Sequence, residues 1–500
     1  MKLFSLRLTT LKSKLYAIVF ASFVVRVVAF VLLPRTPSAL GPDEGTYGKV
    51  ANWTALGKPA IDFPDFGAGL YMSGRSLLLP AAVFNKIGFN PLNSVRLTAS
   101  LYGLLLVCLI ATMILKTAAK EVKFAEFIER NPRVFLSLFL AFILFPSHFA
   151  WSILGLRESA TQFWTIAVFS LLFLILQLNK KVSFLTACGF LASIILAFSA
   201  RPQVGWVLGL TLLLYLLFKI RNRIARLLIP ITAIGVFFGY TATVALSLEV
   251  KETYVARVEF PTSRPSISVA SPSKENSQPT KSTKSTPTPT ISPTPTTKAE
   301  NKASRLCNFS GQEVELDDTK YLCESKIEKK TTISLKNPGS AVIDQADAIP
   351  IKHENNKVGA ASAIETQDCP IASNSRLNIY LCIAYRAPYT TFTFLFRPML
   401  GTDVTSPSSL FAAIENVFWM SSALFVLIMF IRNRRFAFSS ALAPSLLFMS
   451  IYSVAAGAYE GNMGTAFRHK SLILWVVILL LASTIVATQE RKAENKELTS

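Results

Sequence analysis

The chain is short of acid, has no visible repeat and lacks a cleavable leader pattern. Thirty Asp and Glu stand against 51 Lys and Arg in 500 residues, a formal net charge of +21. In a soluble protein that imbalance would suggest a nucleic-acid partner. No internal repeat stands out, which argues against the repeat-built secondary transporters. No small-x-small cleavage pattern follows the first apolar run, so that run is expected to be a retained span rather than a removed signal. Nothing resembles a soluble nucleotide-sugar domain. What the chain has in excess is apolar surface: 51% of its residues are hydrophobic, and the mean hydropathy is +0.43. An isolated core cannot hide that much. Repeated apolar stretches of about 18 or more residues mark a polytopic helical membrane protein. The basic excess then reads as topology, and no nucleic-acid partner is expected.

Ten apolar segments are expected to span: about 15–33, 95–115, 135–145, 160–176, 184–198, 204–218, 227–246, 410–430, 436–456 and 472–487. A short apolar run around Leu77–Pro80 is broken by proline and reads as a helix lying at the outer surface. Residues 1–14 carry Lys2, Arg7, Lys12 and Lys14 and no acid, so the N-terminus is expected in the cytoplasm. The basic clusters at 116–133, 180–181, 219–226, 432–435 and 491–496 then all fall on the cytoplasmic side. The expected fold is an all-α polytopic membrane protein of about ten transmembrane helices with a disulfide-bearing extracytoplasmic insert, set in a plasma membrane.

The domain order follows. Residues 1–248 form an N-terminal membrane module of about seven spans, with an outer loop at 34–93. Residues 249–405 form the insert, 406–488 a C-terminal module of about three spans, and 489–500 a cytoplasmic tail. Within the insert, Pro261–Thr297 is rich in Pro, Ser, Thr and Lys and is expected to be a disordered linker. The part at 305–390 holds Cys307, Cys323, Cys369 and Cys382, four of the six cysteines. That suggests two disulfides in an oxidising compartment. The sequence does not fix the pairing; the local arrangement joins 307 with 323 and 369 with 382. The alternative is free thiols in a cytoplasmic loop.

Polar residues that basic anchoring does not explain fall at the outer ends of spans. They are Asp43, Glu44 and Tyr47 after the first span, Arg96 at the second, His148, Trp151, Arg157 and Glu158 between the third and fourth, and Arg201 after the fifth. Arg397 and Glu415 flank the eighth span, and Glu460, Asn462, Arg468 and His469 lie between the last two. Charged groups near a bilayer are costly and usually line a cavity. Arg26, inside the first span, either snorkels to the outer headgroups or faces a chamber holding an anion.

Two adjacent acids, Asp43 and Glu44, can supply a general base or a metal ligand, which would put a divalent metal near Asp43. Asp43 and Tyr47 share a face if the loop begins a helix. Arginines cradle phosphate or pyrophosphate in bidentate geometry. An acid opposite arginines suits transfer from a phosphate-activated donor: the acid takes the acceptor proton and the arginines steady the leaving phosphate. Outside the cytoplasmic membrane such donors are lipid-linked sugars.

Arg26, the apolar run after it and the string PDEGTYGKVA resemble the first span and first outer loop of the GT-C membrane glycosyltransferases, which include protein O-mannosyltransferases and lipid A aminoarabinose transferases. NPLNSVRLTASLYGLL, FPSHFAWSILGLRESATQFW and the SARP step are similar to later elements of those enzymes, in the same order. LFRP at 395–398 and EGNMGTAFRHK at 460–470 resemble elements of envelope-polysaccharide members. The resemblance implies Asp43 as the catalytic base or acceptor-binding acid, with Glu44 beside it. It implies that Arg201, Arg468 and Arg397 contact a polyprenyl phosphate. Tyr47, Arg96, His148, Arg157, Glu158, Glu460, Asn462 and His469 are the remaining substrate-binding candidates. Relatives carry Asp after the turn where Arg157-Glu158 stands here, and the insert departs from their common core.

For Asp43–Glu44 the competing reading is a solvated turn, since Gly-Pro-Asp-Glu-Gly is good turn chemistry. Arg157–Glu158 reads equally as a local pair at a helix start, His148, Trp151 and Tyr47 as interfacial rings, and Arg468–His469 as headgroup contacts. The expected function is transfer of a sugar from a polyprenyl-phosphate-linked donor to an envelope glycan, lipid or protein. The rivals are a polysaccharide polymerase or ligase and a transporter or flippase for a lipid-linked sugar.

Overall fold

The computed structural model describes residues 2–37, 43–58, 67–178, 182–244, 249–258, 313–316, 319–330, 376–404, 407–432, 442–460 and 463–499. The chain divides into two compact units, one of residues 1–245 with 335–500 and the other of residues 246–334.

The first unit is helical. Its helices are α1 (Lys2–Leu32), α2 (Glu44–Ala55), α3 (Gly67–Lys86), α4 (Pro91–Lys120), α5 (Val122–Arg130), α6 (Pro132–Leu144), α7 (Pro146–Ile153), α8 (Glu158–Phe173), α9 (Phe184–Ala200), α10 (Pro202–Phe218) and α11 (Arg223–Val244). After the second unit come α12 (Arg376–Phe396), α13 (Pro407–Arg432), α14 (Leu442–Tyr459), α15 (Met463–Lys470) and α16 (Leu474–Thr499). Local chemistry sets several boundaries. Asn90 caps α4 by accepting from the Asn93 backbone N–H at 2.7 Å, with Pro91 as the first helical residue. Ser183 caps α9 in the same way, accepting from the Thr186 N–H at 3.2 Å. Pro146 has no N–H to offer and separates α6 from α7, which meet at a bend of 45°. Pro202 ends α9 likewise, holding Arg201 in extended backbone.

Six stretches among the described residues are long and apolar enough to cross a membrane: 11–32, 91–120, 158–176, 223–240, 409–429 and 464–485. The bent α6–α7 pair passes the same test as one unit, and α9, α10 and residues 442–458 of α14 are shorter apolar helices. These helices are compatible with a multi-pass membrane protein. Their surfaces agree, since Phe20, Val31 and Leu32 of α1, Phe184 and Leu185 of α9 and Phe218 of α10 are exposed. Large apolar side chains in such a display need a non-aqueous neighbour. The 464–485 stretch is 67% buried within the protein and the 11–32 stretch only 17%, so α16 runs through the middle and α1 along the edge.

Helix α3, expected as a surface helix, is kinked at Gly74, carries Pro80, and is not among the spanning candidates. It packs against α2, α4 and α9. A smaller apolar core, made of Tyr47, Val50, Ala51, Leu77, Leu78, Val95, Ala99, Trp151 and their neighbours, joins α2, α3, α4, α7 and α8.

The second unit holds a three-stranded antiparallel sheet, an addition to the helical architecture that the sequence reading did not place. Its strands are β1 (Glu249–Val258), β2 (Glu313–Leu316) and β3 (Thr319–Lys330), in the order β1-β3-β2. Strand β1 pairs with β3 from Glu249 opposite Lys330 to Val258 opposite Tyr321. The Pro261–Thr297 tract, Cys307 and Cys369 lie outside the described residues, and the pairing of the four cysteines with them. Cys108 and Cys188 are free thiols. Helix α12 groups with the first unit and packs against α14, whereas the sequence reading put residues up to 390 in the cysteine-containing part of the insert. Phe394 of α12 is buried against Tyr452 of α14, with ring centroids 6.2 Å apart.

Candidate functional site

The acidic pair splits at the start of α2. Asp43 precedes the helix and does not cap it with its side chain. Its Oδ2 instead accepts from Arg468 Nη1 of α15 at 2.8 Å, with the Asp43 side chain 52% exposed and that of Arg468 20%. Glu44, the first helical residue, turns the other way and is fully buried. Its two oxygens take the Arg96 fork, Oε2 from Nε at 2.9 Å and Oε1 from Nη2 at 2.6 Å. The Gly155 N–H also donates to Glu44 Oε2 at 3.3 Å. Arg96 spends its remaining donors on backbone carbonyls, Nη1 on Pro34 at 2.6 Å and Nη2 on Thr36 at 3.0 Å. Glu44 and Arg96 therefore form a buried clasp that ties the loop after α1 and the start of α2 to α4 and the turn before α8. The sequence offered Glu44 a catalytic part and Arg96 a substrate-binding one; in the structure each holds the other.

Behind Asp43 lies a buried polar chain. Glu158, first in α8, accepts from Arg201 Nη1 at 3.3 Å. A carboxylate there is also favoured by the positive end of the helix. Arg201 Nη2 meets His469 Nε2, and His469 Nδ1 meets Glu460. One oxygen of Glu158 and one of Glu460 have no hydrogen-bond partner. Glu460 lies just past the end of α14. Burial pushes its carboxyl upward, but the charge and hydrogen bond of His469 outweigh that and hold it below the usual carboxylate range. Tyr47, one turn after Asp43, is buried beside Arg157, Glu158, Arg201 and Asp43. Burial raises its phenol, against the pull of the Arg157 charge. Arg157 donates through Nη1 to Ser73 Oγ at 2.8 Å, linking the start of α8 to α3. Thus Asp43, Tyr47, Arg157, Glu158, Arg201, Glu460, Arg468 and His469 lie together in the structure.

Two candidates, His148 and Arg397, stand apart. His148 packs on the Phe142 ring, with centroids 4.8 Å apart, and its Nδ1 lies 2.7 Å from Gln162 Oε1. Gln162 in turn donates to Ser471 at 2.9 Å. Arg397 binds Asp403 with its fork, Nε to Oδ2 at 3.0 Å and Nη2 to Oδ1 at 2.5 Å. Asn462 lies outside the described residues. No described group of three or more His, Cys, Asp and Glu side chains could hold a metal ion. Asp43 is paired with the Arg468 guanidinium, a partner that does not suit a cation.

No protein family, curated protein sequence or solved structure matches the chain. The site therefore stands on its own geometry.

Sequence reasoning missed Tyr452 and a second buried group. Tyr452 sits within electrostatic reach of Arg201, Glu460, Glu158 and Arg157. It is two turns before Glu460 along α14, a spacing that could have flagged it. Lys470 is fully buried, and its Nζ donates to Arg397 O at 2.8 Å and Asn416 Oδ1 at 2.5 Å. It follows Arg468-His469 directly, yet it points to the loop after α12. Glu415 accepts from the Ser147 N–H at 2.8 Å, at the start of α7.

Proposed function

We propose that the chain is an integral-membrane glycosyltransferase of the GT-C kind, moving a sugar from a polyprenyl-phosphate-linked donor to an envelope acceptor at the outer face. The supporting observation is the pairing of one accessible carboxylate, Asp43, with one accessible guanidinium, Arg468, at the mouth of a buried polar chain drawn from five separate segments. In this reading Asp43 takes the proton of the acceptor hydroxyl as the new bond to the anomeric carbon forms. The bond from that carbon to the lipid phosphate breaks, and the phosphate leaves with its electron pair. Arg468 exchanges Asp43 for the leaving phosphate, which frees the carboxylate when the donor is present. Arg201, gripped by Glu158 and His469, holds Arg468's neighbourhood positive, and Tyr47 orients the acceptor.

The finer topology belongs to the same proposal. The six long stretches, the bent pair and the three shorter helices together make ten spans, with both termini in the cytoplasm and the insert outside. Two disulfides there fit an oxidising compartment.

The test uses purified protein and lipid carrying a labelled sugar. Wild type should transfer label covalently, and Asp43→Asn should lose the transfer by about 100-fold or more, the scale of a missing general base. Transfer that survives in Asp43→Asn contradicts the assignment of the base. Movement of labelled lipid without covalent transfer favours a flippase.

A further inference from the structure

The helical unit also holds a cavity of about 280 Å³ that none of the polar candidates lines. Four helices wall it: Phe396 comes from α12, Trp419, Ala423 and Leu427 from α13, Met449 from α14 and Val477 from α16. Apart from the Ser422 hydroxyl and the Trp419 ring nitrogen, its side chains are hydrocarbon or thioether. Such a wall gives water almost nothing to bond, and apolar cavities of this kind stay dry. Left empty, the cavity forfeits the dispersion contacts of its lining.

The cavity is a cleft, not a closed void. Trp419 at its floor is 4% exposed, whereas Leu427 at its rim is 53% exposed. Leu427 shares a face of α13 with Leu424, Ile428 and Ile431, which are three and four residues apart and all exposed. The mouth therefore continues into an uncovered apolar surface. The stretches 409–429, which holds the α13 wall, and 464–485, which holds Val477, are both long and apolar enough to cross a membrane. In a bilayer the medium at that mouth is lipid hydrocarbon. Size narrows the occupant further. An apolar cavity of about 150 Å³ accepts benzene, so this cleft has room for roughly a dozen carbons. That is the greater part of one acyl chain and far less than the branched tail of a polyprenyl lipid.

We propose that this cleft binds one acyl chain of a bilayer phospholipid, which enters past Leu427 and ends against Trp419. The chain fills the space between α12, α13, α14 and α16 and so ties the bilayer to α14, the helix that carries Tyr452. The inference rests on the helices crossing a membrane and does not depend on sugar transfer.

The experiment reconstitutes the full chain in phosphatidylcholine vesicles, with or without bromine on the acyl chains, and reads tryptophan emission. Bromine quenches an indole at near contact. Comparison with Trp419→Phe isolates the share of the emission that Trp419 supplies. Lipid that only surrounds the protein leaves the share of this buried ring unchanged, whereas a brominated chain in the cleft should remove most of it. Ala423→Phe puts a ring into the mouth and should restore the Trp419 share. Leu424→Phe adds the same ring outside the lining and should quench as wild type does. The wild-type comparison needs neither variant, so the proposal stays testable if the filled protein does not fold. Trp419 emission that ignores brominated lipid overturns the proposal, and the cleft is then empty or covered by a second copy of the chain. Equal quenching in Ala423→Phe overturns it too, since lipid would then reach Trp419 by another route. Recovery of the Trp419 share on adding a minor amount of unbrominated polyprenol gives the cleft to an isoprenoid tail and likewise overturns it.

Discussion

Asp43 and Glu44 are adjacent and chemically alike, and the fold gives them opposite surroundings. Consecutive helical residues point about 100° apart, so one acid goes inward and the other stays at the mouth. Removing one partner of a buried ion pair leaves the other charge unpaired and costs about 3–5 kcal/mol. Glu44→Gln should therefore lower the thermal midpoint sharply, and a double substitution of Glu44→Gln with Arg96→Met should recover part of the loss. Asp43→Asn breaks only a half-exposed pair and should change stability by less than about 1 kcal/mol. Unfolding curves of the three variants decide it, and equal losses for the two single variants would sink the distinction. Asp403 supplies a pH dependence. Hydrogen bonds from Arg397 hold its carboxyl below the ordinary value, although burial works the other way. The folded state thus binds that proton less readily than the unfolded chain. Its contribution is complete above the ordinary aspartate value of about 3.9 and is lost as pH falls through the lower folded value. Wild type should lose stability on that acid limb, and Asp403→Asn should lose less, as a series of melts from about pH 5 to about pH 3 would show. The pair at 43–44 was legible in the sequence only as an acid doublet placed after an apolar stretch. Its division was not, because Arg96 is 52 residues from Glu44 and Arg468 is 425 from Asp43.

Helix packing explains why the polar residues meet. Small residues let helices approach, and Gly457 of α14 faces the backbone of α12: a Cβ there would lie 2.8 Å from the Thr390 carbonyl oxygen. Backbone cannot swing aside as a side chain can. Gly457→Ala should therefore cost about 1–3 kcal/mol by overpacking, read as a lower midpoint together with weaker function, since α14 carries Tyr452 and ends at Glu460. An alanine at Gly57, where no atom lies within 4 Å of the added Cβ, tests backbone strain alone because φ is +71°. Hydropathy made the apolar helices readable, and proline made the α6–α7 and α9–α10 breaks readable. Helix α12 was not, because it comes after a polar stretch and itself carries Cys382, and only its contact with α14 shows where it belongs.

Across the whole molecule, the helical unit and the sheet unit come from interleaved sequence. Strands β1 and β3 pair across the Pro-rich tract, so the tract closes a loop inside one unit. Loop-closure entropy grows slowly, by about 0.6 kcal/mol per doubling of length. Halving Pro261–Thr297 should leave the sheet's stability within about 1 kcal/mol, checked by proteolysis and melting of the full chain; a collapse of the sheet would show the tract to be structural. Hydropathy made the long apolar helices legible in the sequence, and the polar residues at their ends stood out against them. The sequence could not show that the cluster divides into a clasp, a buried chain and an exposed acid, because those roles depend on contacts between distant segments. The central claim is that Asp43 is the working acid and Glu44 the fastener. Covalent transfer of labelled sugar from polyprenyl phosphate by wild type, Asp43→Asn and a folded Glu44→Gln, Arg96→Met protein tests it most directly. The account predicts transfer by the first and third and none by the second; transfer by Asp43→Asn at the wild-type rate would contradict it.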